Sequence, residues 1–139
     1  MKGTYLLLLE CLNDTEIFVG SLGMIKFIKG YYVYVGSAMN GLEKRIKRHL
    51  SKNKKVFWHI DYLTTSDNFR IIKVFIKVSN KKEESDIAKI LEREFKYIDN
   101  FGSSDSNDRS HLFVVEDLDK FFKIIKNLGF IEIDMKSFA

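Results

Sequence analysis

Residues 31–46 read YYVYVGSAMNGLEKRI and combine the end of a strand, a turn and the start of a helix. The aromatic and β-branched run at residues 31–35 has no helical spacing, so it predicts a buried strand that ends at Gly36. Asn40 offers a side-chain oxygen of the kind that caps helices, and we expect a helix from there to about Lys52.

Apolar patterning places further elements on both sides of this stretch. Upstream, residues 4–9 predict a strand, and two short apolar segments separated by a glycine-containing turn predict a hairpin at about residues 14–29. Downstream, apolar spacing over residues 83–99 predicts the longest helix. The remaining predictions are short helices over 56–63 and 117–127, strands over 70–78, 111–115 and 130–133, and a loop over 102–110. We therefore expect an α/β (α+β) fold in which helices flank a small, mostly antiparallel central sheet.

The composition is that of one globular domain with excess positive charge. Of the 139 residues, 45% are hydrophobic and 30% are charged, and the formal net charge is +4. This length predicts a single domain over residues 1–139. The single cysteine, Cys11, excludes an internal disulfide and argues against a thiolate metal cluster. No apolar run approaches the roughly 20 residues that span a bilayer, and none resembles a signal peptide, so we expect a cytoplasmic protein without a membrane partner.

The positive charge is concentrated in residues 44–55, which read KRIKRHLSKNKK. On the predicted helix, Ile46 and Leu50 lie on the buried face. Beside that face is a cationic flank formed by Arg45, Arg48, His49 and Lys52. Such a flank can line a phosphate-binding cleft, although a solvated helix face is the simpler alternative. The candidate nucleic-acid-binding residues are Lys44, Arg45, Arg48, Lys52, Lys54 and Lys55.

Two tyrosine segments make this pattern similar to that of a known superfamily. Residues 3–5 read GTY, and residues 34–46 read YVGSAMNGLEKRI. Together they resemble the two halves of the GIY-YIG nuclease signature. Tyr5 and Tyr34 are further apart than these halves usually are, so the resemblance implies that the hairpin at about residues 14–29 is inserted between the paired motif strands.

Further segments resemble a largely archaeal branch of this superfamily, the domain of unknown function DUF123. They are residues 30–38, 45–49 and 58–63, and residues 101–105 with 110–113. The resemblance covers about residues 1–113, which makes residues 116–139 a helix–strand extension at the C-terminus.

The resemblance implies a DNA endonuclease that uses one Mg²⁺ or Mn²⁺ ion, with RNA left open as a substrate. Phosphodiester hydrolysis needs an activated water, stabilisation of a pentavalent phosphate and help for the leaving oxygen. Tyr5 or Tyr34 would orient or deprotonate the water, and Arg45 would hold the phosphate. His49 is a further catalytic candidate, as a general base or a phosphate donor. By analogy of fold, DNA repair or recombination is the expected setting.

The metal-binding carboxylate is either Glu84 or Asp86. The family's acidic segment, Glu-Cys-Glu-Leu-Ala, resembles residues 84–88, which read ESDIA, so that the shorter Asp86 stands at the position of its second glutamate. Glu84 lies at the edge of the apolar helix face and is the preferred catalytic and metal-binding residue, whereas Asp86 points away from that edge. Acidic residues in a first helical turn also stabilise the helix dipole without any metal, so that alternative stays open.

Other polar residues have simpler interpretations. His59, His111 and Asp61 occur beside aromatic residues, where hydrogen-bonded structural roles are common. Many family members carry cysteines in the loop before His111, and Ser106 and Asp108 stand at those positions here. We therefore expect any metal role of that loop to be lost or never general.

Two alternatives compete with the nuclease hypothesis. One is a catalytically weak or inactive nucleic-acid-binding module that keeps the basic helix, and the other is an unrelated enzyme or interaction domain on the same scaffold. The nuclease hypothesis requires two phenols, a guanidinium and a carboxylate to share one cleft. The residues concerned are Tyr5, Tyr34, Arg45 and either Glu84 or Asp86.

Overall fold

The computed structural model describes residues 1–138, which form a six-stranded antiparallel sheet with helices on both faces. The strands are β1 (Gly3–Cys11), β2 (Thr15–Phe18), β3 (Met24–Phe27), β4 (Gly30–Ala38), β5 (Phe69–Val78), β6 (Lys96–Tyr97), β7 (Leu112–Val115) and β8 (Ile131–Ile133). The helices are α1 (Leu42–Leu50), α2 (His59–Thr64), α3 (Glu84–Glu94) and α4 (Leu118–Asn127). The sheet order is β6-β7-β4-β1-β5-β8. The predicted α+β fold class is confirmed.

The central strand β1 is buried on both of its faces. Successive side chains in a strand point to opposite faces, so its leucines divide between two cores. Leu7 and Leu9 pack in the core that contains the apolar faces of α1 and α2. Leu6 and Leu8 pack in the core that contains those of α3 and α4. Burial on both faces explains why the strand is continuously apolar rather than alternating.

The two tyrosine segments lie on neighbouring strands. β1 pairs antiparallel with β4, and the register sets Tyr5 opposite Gly36 and Leu7 opposite Tyr34. The chain between them forms the predicted hairpin, in which β2 and β3 make a separate two-stranded sheet joined by a 3₁₀ turn at Gly20–Leu22. The hairpin therefore leaves the pairing of β1 with β4 intact.

Two predicted helix boundaries are wrong because local contacts override the sequence pattern. α1 begins after Gly41, which occupies the N-cap position with φ of 78°, and no side chain caps it, so Asn40 does not have the predicted role. α3 ends at Glu94 rather than at residue 99, since Phe95 is extended and the next two residues pair with β7 as the edge strand β6. Pairing with a free sheet edge outweighs the helical spacing of the apolar residues here.

Within residues 1–138, the longest apolar stretch of any helix falls short of the length needed to cross a membrane.

Candidate active site

One cleft gathers polar side chains from distant parts of the chain. It has a volume of about 350 Å³ and lies where β1 begins and β4 ends. Its lining consists of Tyr5, Tyr34, Ser37, Arg45, Trp58, Lys82, Glu84, Ser85, Gly102, Asp105, Ser106 and His111. The two phenols, the guanidinium and the carboxylate named from the sequence are thus together in a single cleft.

Tyr5 reaches the cleft because its partner on β4 has no side chain. A Cβ atom at Gly36 would lie 2.3 Å from the hydroxyl oxygen and Cζ of Tyr5, so the phenol ring passes over the glycine. The Tyr5 hydroxyl lies 2.7 Å from Nε2 of His49. Burial raises the pKa of Tyr5 well above its ordinary value, although the Arg45 guanidinium partly offsets this. The phenol is therefore protonated at neutral pH.

His49 lies behind the cleft rather than in its lining. The residue is 1% exposed, and its ring packs against those of Tyr5, Tyr34 and Trp58. Burial, with a contribution from the positive charge of Lys54, lowers the pKa of His49 to about 3. The imidazole is therefore neutral at pH 7 and does not belong to the cationic flank in which the sequence placed it.

Arg45 is held in the cleft by two contacts. Its Nη1 donates a hydrogen bond to the backbone carbonyl of Ser37 at 3.1 Å. Its guanidinium carbon lies 4.6 Å from the ring centroid of Trp58, which is within cation–π distance. These contacts use one face and one edge of the guanidinium, and the remaining N–H groups can bind an anion in the cleft.

The two candidate carboxylates on α3 differ in their positions relative to the cleft. Glu84 lies in the first turn and lines the cleft, with a side chain that is 18% exposed. Burial raises the pKa of Glu84, and the nearby His111 and Lys82 oppose that shift. Asp86 is exposed and does not contribute to the cleft lining, so the predicted metal-binding role of Asp86 has no support from its position.

Arg48 forms an ion pair with the buried carboxylate of Asp61. Its Nη1 and Nη2 donate to the two carboxylate oxygens of Asp61, each at 2.9 Å, and the Asp61 side chain is fully buried. Asp61 also accepts hydrogen bonds from the backbone N–H groups of Phe57 and Trp58. These bonds hold the chain extended before α2, so the helix begins at His59 instead of at residue 56 as predicted. Asp61 has the structural role expected of it.

Two of the predicted nucleic-acid-binding lysines also bond to the protein itself. Lys54 Nζ donates to two backbone carbonyls at the end of α1, both at 3.0 Å. Lys52 Nζ donates to the backbone carbonyls of two residues that precede and begin β5, at 2.7 and 2.9 Å. Lys44 and Lys55 are exposed. Of the six candidates, Arg45 lines the cleft, and Lys44 and Lys55 face solvent. Arg48 pairs with Asp61 in α2, and Lys52 and Lys54 donate to backbone carbonyls.

Two histidines in the family-like segments have different environments. His59 Nδ1 accepts a hydrogen bond from the backbone N–H of Gly102 at 2.9 Å, which positions the loop beside Tyr34. This agrees with the structural role expected of it. His111 is buried, lines the cleft and lies with Nδ1 3.7 Å from a carboxylate oxygen of Glu84.

Sequence reasoning missed several members of the cleft. Trp58 and Lys82 line it, and neither was proposed as a site residue. For His111 a usable signal existed, because Asp108 precedes it by three residues and could pair with the imidazole. The periodicity used to predict helices and strands does not identify such a pair, because Asp108 and His111 lie outside both kinds of element.

The cleft has donors that fit a divalent cation. Over the residues that the structure describes, no group of three or more His, Cys, Asp or Glu side chains is arranged to hold a metal ion. Glu84 nevertheless offers a carboxylate oxygen to the cleft, and the Nδ1 atom of His111 beside it has no hydrogen-bond partner. Mg²⁺ needs no larger set, because it keeps several waters and binds through one or two protein carboxylates and substrate phosphates.

The fold and the cleft define a small α+β domain in which a phenol–imidazole pair, a guanidinium and a carboxylate meet. The sequence profile of the family described as domain of unknown function DUF123 matches residues 4–130. The chain belongs to this family. The match includes every residue of the cleft lining. It also includes α4, although the resemblance in the sequence analysis ended near residue 113 and assigned this helix to a C-terminal extension. Neither the curated proteins nor the solved structures gave a match to the chain.

Proposed function

We propose that this protein is a GIY-YIG-type endonuclease that hydrolyses phosphodiester bonds in DNA with the help of one Mg²⁺ or Mn²⁺ ion. The observation that carries the proposal is the convergence of Tyr5, Tyr34, Arg45 and Glu84 in one cleft. These residues come from β1, β4, α1 and α3, and they supply the groups that phosphodiester hydrolysis requires.

Arg45 binds the scissile phosphate in this proposal. The guanidinium is oriented by the Ser37 carbonyl and by Trp58, so little side-chain freedom is lost on binding. Lys82 adds a second positive charge to the cleft lining. Together they stabilise the negative charge that accumulates on the phosphate oxygens in the transition state.

Tyr5 orients the attacking water and transfers its proton. Because the buried phenol is protonated at neutral pH, it can accept the water's proton only if it releases its own. His49 Nε2 lies 2.7 Å away on a neutral imidazole and can accept that proton. The hydroxide oxygen then forms the bond to phosphorus as the bond to the leaving oxygen breaks. The negative charge of the bound phosphate favours the imidazolium that results.

Glu84 would hold the divalent cation, which would supply positive charge to offset that of the phosphate and the leaving oxygen. Asp86, the position that departs from the family's acidic segment, is exposed outside the cleft. That departure is therefore no argument against activity. The assignment to DNA repair or recombination rests on analogy of fold.

The test is a nicking assay on branched, damaged and plain duplex DNA, titrated with Mg²⁺ or Mn²⁺. We expect metal-dependent cutting by the wild type, slowed by about 10²- to 10³-fold in Arg45→Ala, since one preorganised donor to the transition state is lost. The matched control is Lys47→Ala, which removes an exposed cation from the same helix and should cut like the wild type.

Two other outcomes have distinct meanings. Salt-dependent DNA binding without cutting, weakened but not abolished by Arg45→Ala, would identify the inactive nucleic-acid-binding module instead. If neither cutting nor salt-dependent binding is detected for any of the three substrates, both functions are refuted.

A further inference from the structure

His111 lines the cleft, and one of its ring nitrogens is buried beside Glu84 without a hydrogen-bond partner. The side chain is 4% exposed and lines the cleft beside Glu84. Nδ1 has no hydrogen-bond partner, and its distance of 3.7 Å from Glu84 Oε1 is too long for a hydrogen bond. A buried, unsatisfied nitrogen is costly, so its position calls for a ligand that approaches it from the cleft.

The other ring nitrogen of His111 fixes which tautomer is present. Nε2 lies 2.8 Å from Oδ2 of Asp108, and Ser85 Oγ donates to the same oxygen at 2.7 Å. We assign the proton to Nε2, because the carboxylate oxygen that receives the Ser85 hydroxyl acts as an acceptor, and Nδ1 is then the ring nitrogen available to a ligand beside Glu84.

We propose that His111 is a second protein ligand of the divalent cation, binding through Nδ1 beside Glu84 Oε1, with Asp108 as its orienting partner. This inference rests on the proposed function and deepens it. Histidines that bind metals almost always donate their other N–H to a carboxylate or a carbonyl, which is the arrangement of Asp108 and His111.

The spacing of the two donors agrees with a shared ion. Two ligands bound to one cation at about 2.0 to 2.2 Å each lie roughly 3 to 4 Å apart. The Nδ1–Oε1 separation of 3.7 Å falls in that range. The loop before His111 was expected to have no metal role, and in this proposal Asp108 acts on the metal site indirectly, through the histidine.

A nitrogen ligand has a consequence for metal choice. Mg²⁺ prefers oxygen donors, whereas imidazole binds first-row transition metals well. We therefore expect the cleft to bind Mn²⁺ more tightly than Mg²⁺, and this preference to depend on His111.

The test is pulsed electron paramagnetic resonance of the full chain loaded with Mn²⁺, alone and with a DNA duplex. We expect ¹⁴N coupling from a bound imidazole, which changes to the ¹⁵N pattern when the histidines are ¹⁵N-labelled. In His111→Gln the coupling should vanish and the Mn²⁺ dissociation constant should rise at least about tenfold, with a smaller change for Mg²⁺. His59→Gln is the matched control and should retain the coupling, because His59 bonds to the loop backbone.

The outcomes separate this inference from the proposed function. Mn²⁺ that binds in a Glu84-dependent manner without nitrogen coupling would overturn the role of His111 and leave the nuclease proposal standing. Absence of Mn²⁺ binding together with absence of cutting would overturn both. If His111→Gln fails to fold, the wild-type spectrum still tests the proposal, because absence of nitrogen coupling overturns it.

Discussion

Replacing Arg48 by methionine tests whether this cation serves the fold rather than DNA. The substitution keeps most of the apolar length of the side chain and removes the guanidinium that pairs with Asp61. Asp61 is fully buried, so the loss leaves a carboxylate without its main counter-charge. Breaking a buried pair by removing one partner costs about 3 to 5 kcal/mol.

The contacts that remain around Asp61 place the expected loss near the lower end of that range. The carboxylate keeps hydrogen bonds from the backbone N–H groups of Phe57 and Trp58, and Lys54 Nζ lies 3.8 Å away. We therefore expect a loss of about 3 kcal/mol in the free energy of unfolding. For a chain of this size that corresponds to a fall in Tm of roughly 10 °C.

The measurement is urea unfolding of Arg48→Met against Lys47→Met, an exposed neighbour whose loss should change stability by less than about 0.5 kcal/mol. In the wild type, burial raises the pKa of Asp61 but hydrogen bonds from Arg48 and the backbone hold it below its ordinary value, so its contribution is present above about pH 4. In the variant, Asp61 is protonated more easily, so the stability difference should narrow as the pH falls toward 4. Equal stability of the two variants at pH 7 would refute the structural role of Arg48.

Two further predictions concern Tyr5 and His49. Gly36→Ala should cost about 1 to 3 kcal/mol because the new Cβ would overlap the Tyr5 ring, and it should cost far less in a Tyr5→Ala background; equal losses in the two backgrounds, measured by urea unfolding, would contradict the proposed contact. The pKa of His49 is lowered to about 3 by burial, so from its ordinary value of 6.5 down to about 3 the unfolded chain binds a proton that the folded chain does not. The free energy of unfolding should therefore fall by about 1.4 kcal/mol for each unit by which the pH is lowered in that window. His49→Gln should lack this component. If the wild type and His49→Gln gave parallel curves of unfolding free energy against pH, a neutral buried imidazole would be ruled out.

The sequence predicted the central part of the fold because burial on both faces leaves a plain signal. The continuous apolar runs of β1 and β4 have no helical spacing, and glycine-bounded strands of this kind are readily recognised. The position of Glu84 at the edge of an apolar helix face also follows from helix geometry alone, and that residue does line the cleft.

Side-chain partners from other elements could not be predicted in this way. Helical angles place Arg48 on the flank of α1, but they do not reveal that Asp61 lies buried opposite it. The apolar spacing that extends past Phe95 favours a helix, and pairing with the edge of β7 decides the outcome. His111 depends on a carboxylate in the preceding loop, whose path is set by tertiary contacts such as the bond from Gly102 to His59. In each case the decisive interaction joins elements that the sequence pattern treats separately.

The small hairpin of β2 and β3 shows that chain distance and spatial distance are independent in this domain. Each doubling of the length of a connecting loop adds only about 0.6 kcal/mol of closure entropy. A connection that is lengthened by a self-contained hairpin therefore lowers the stability of the domain only slightly. The ladder between Tyr5 and Gly36 fixes how the catalytic candidates meet, whatever the length of the segment that joins their strands. The register of Tyr5 opposite Gly36 is therefore a more basic property of this site than the interval between the two tyrosines along the chain.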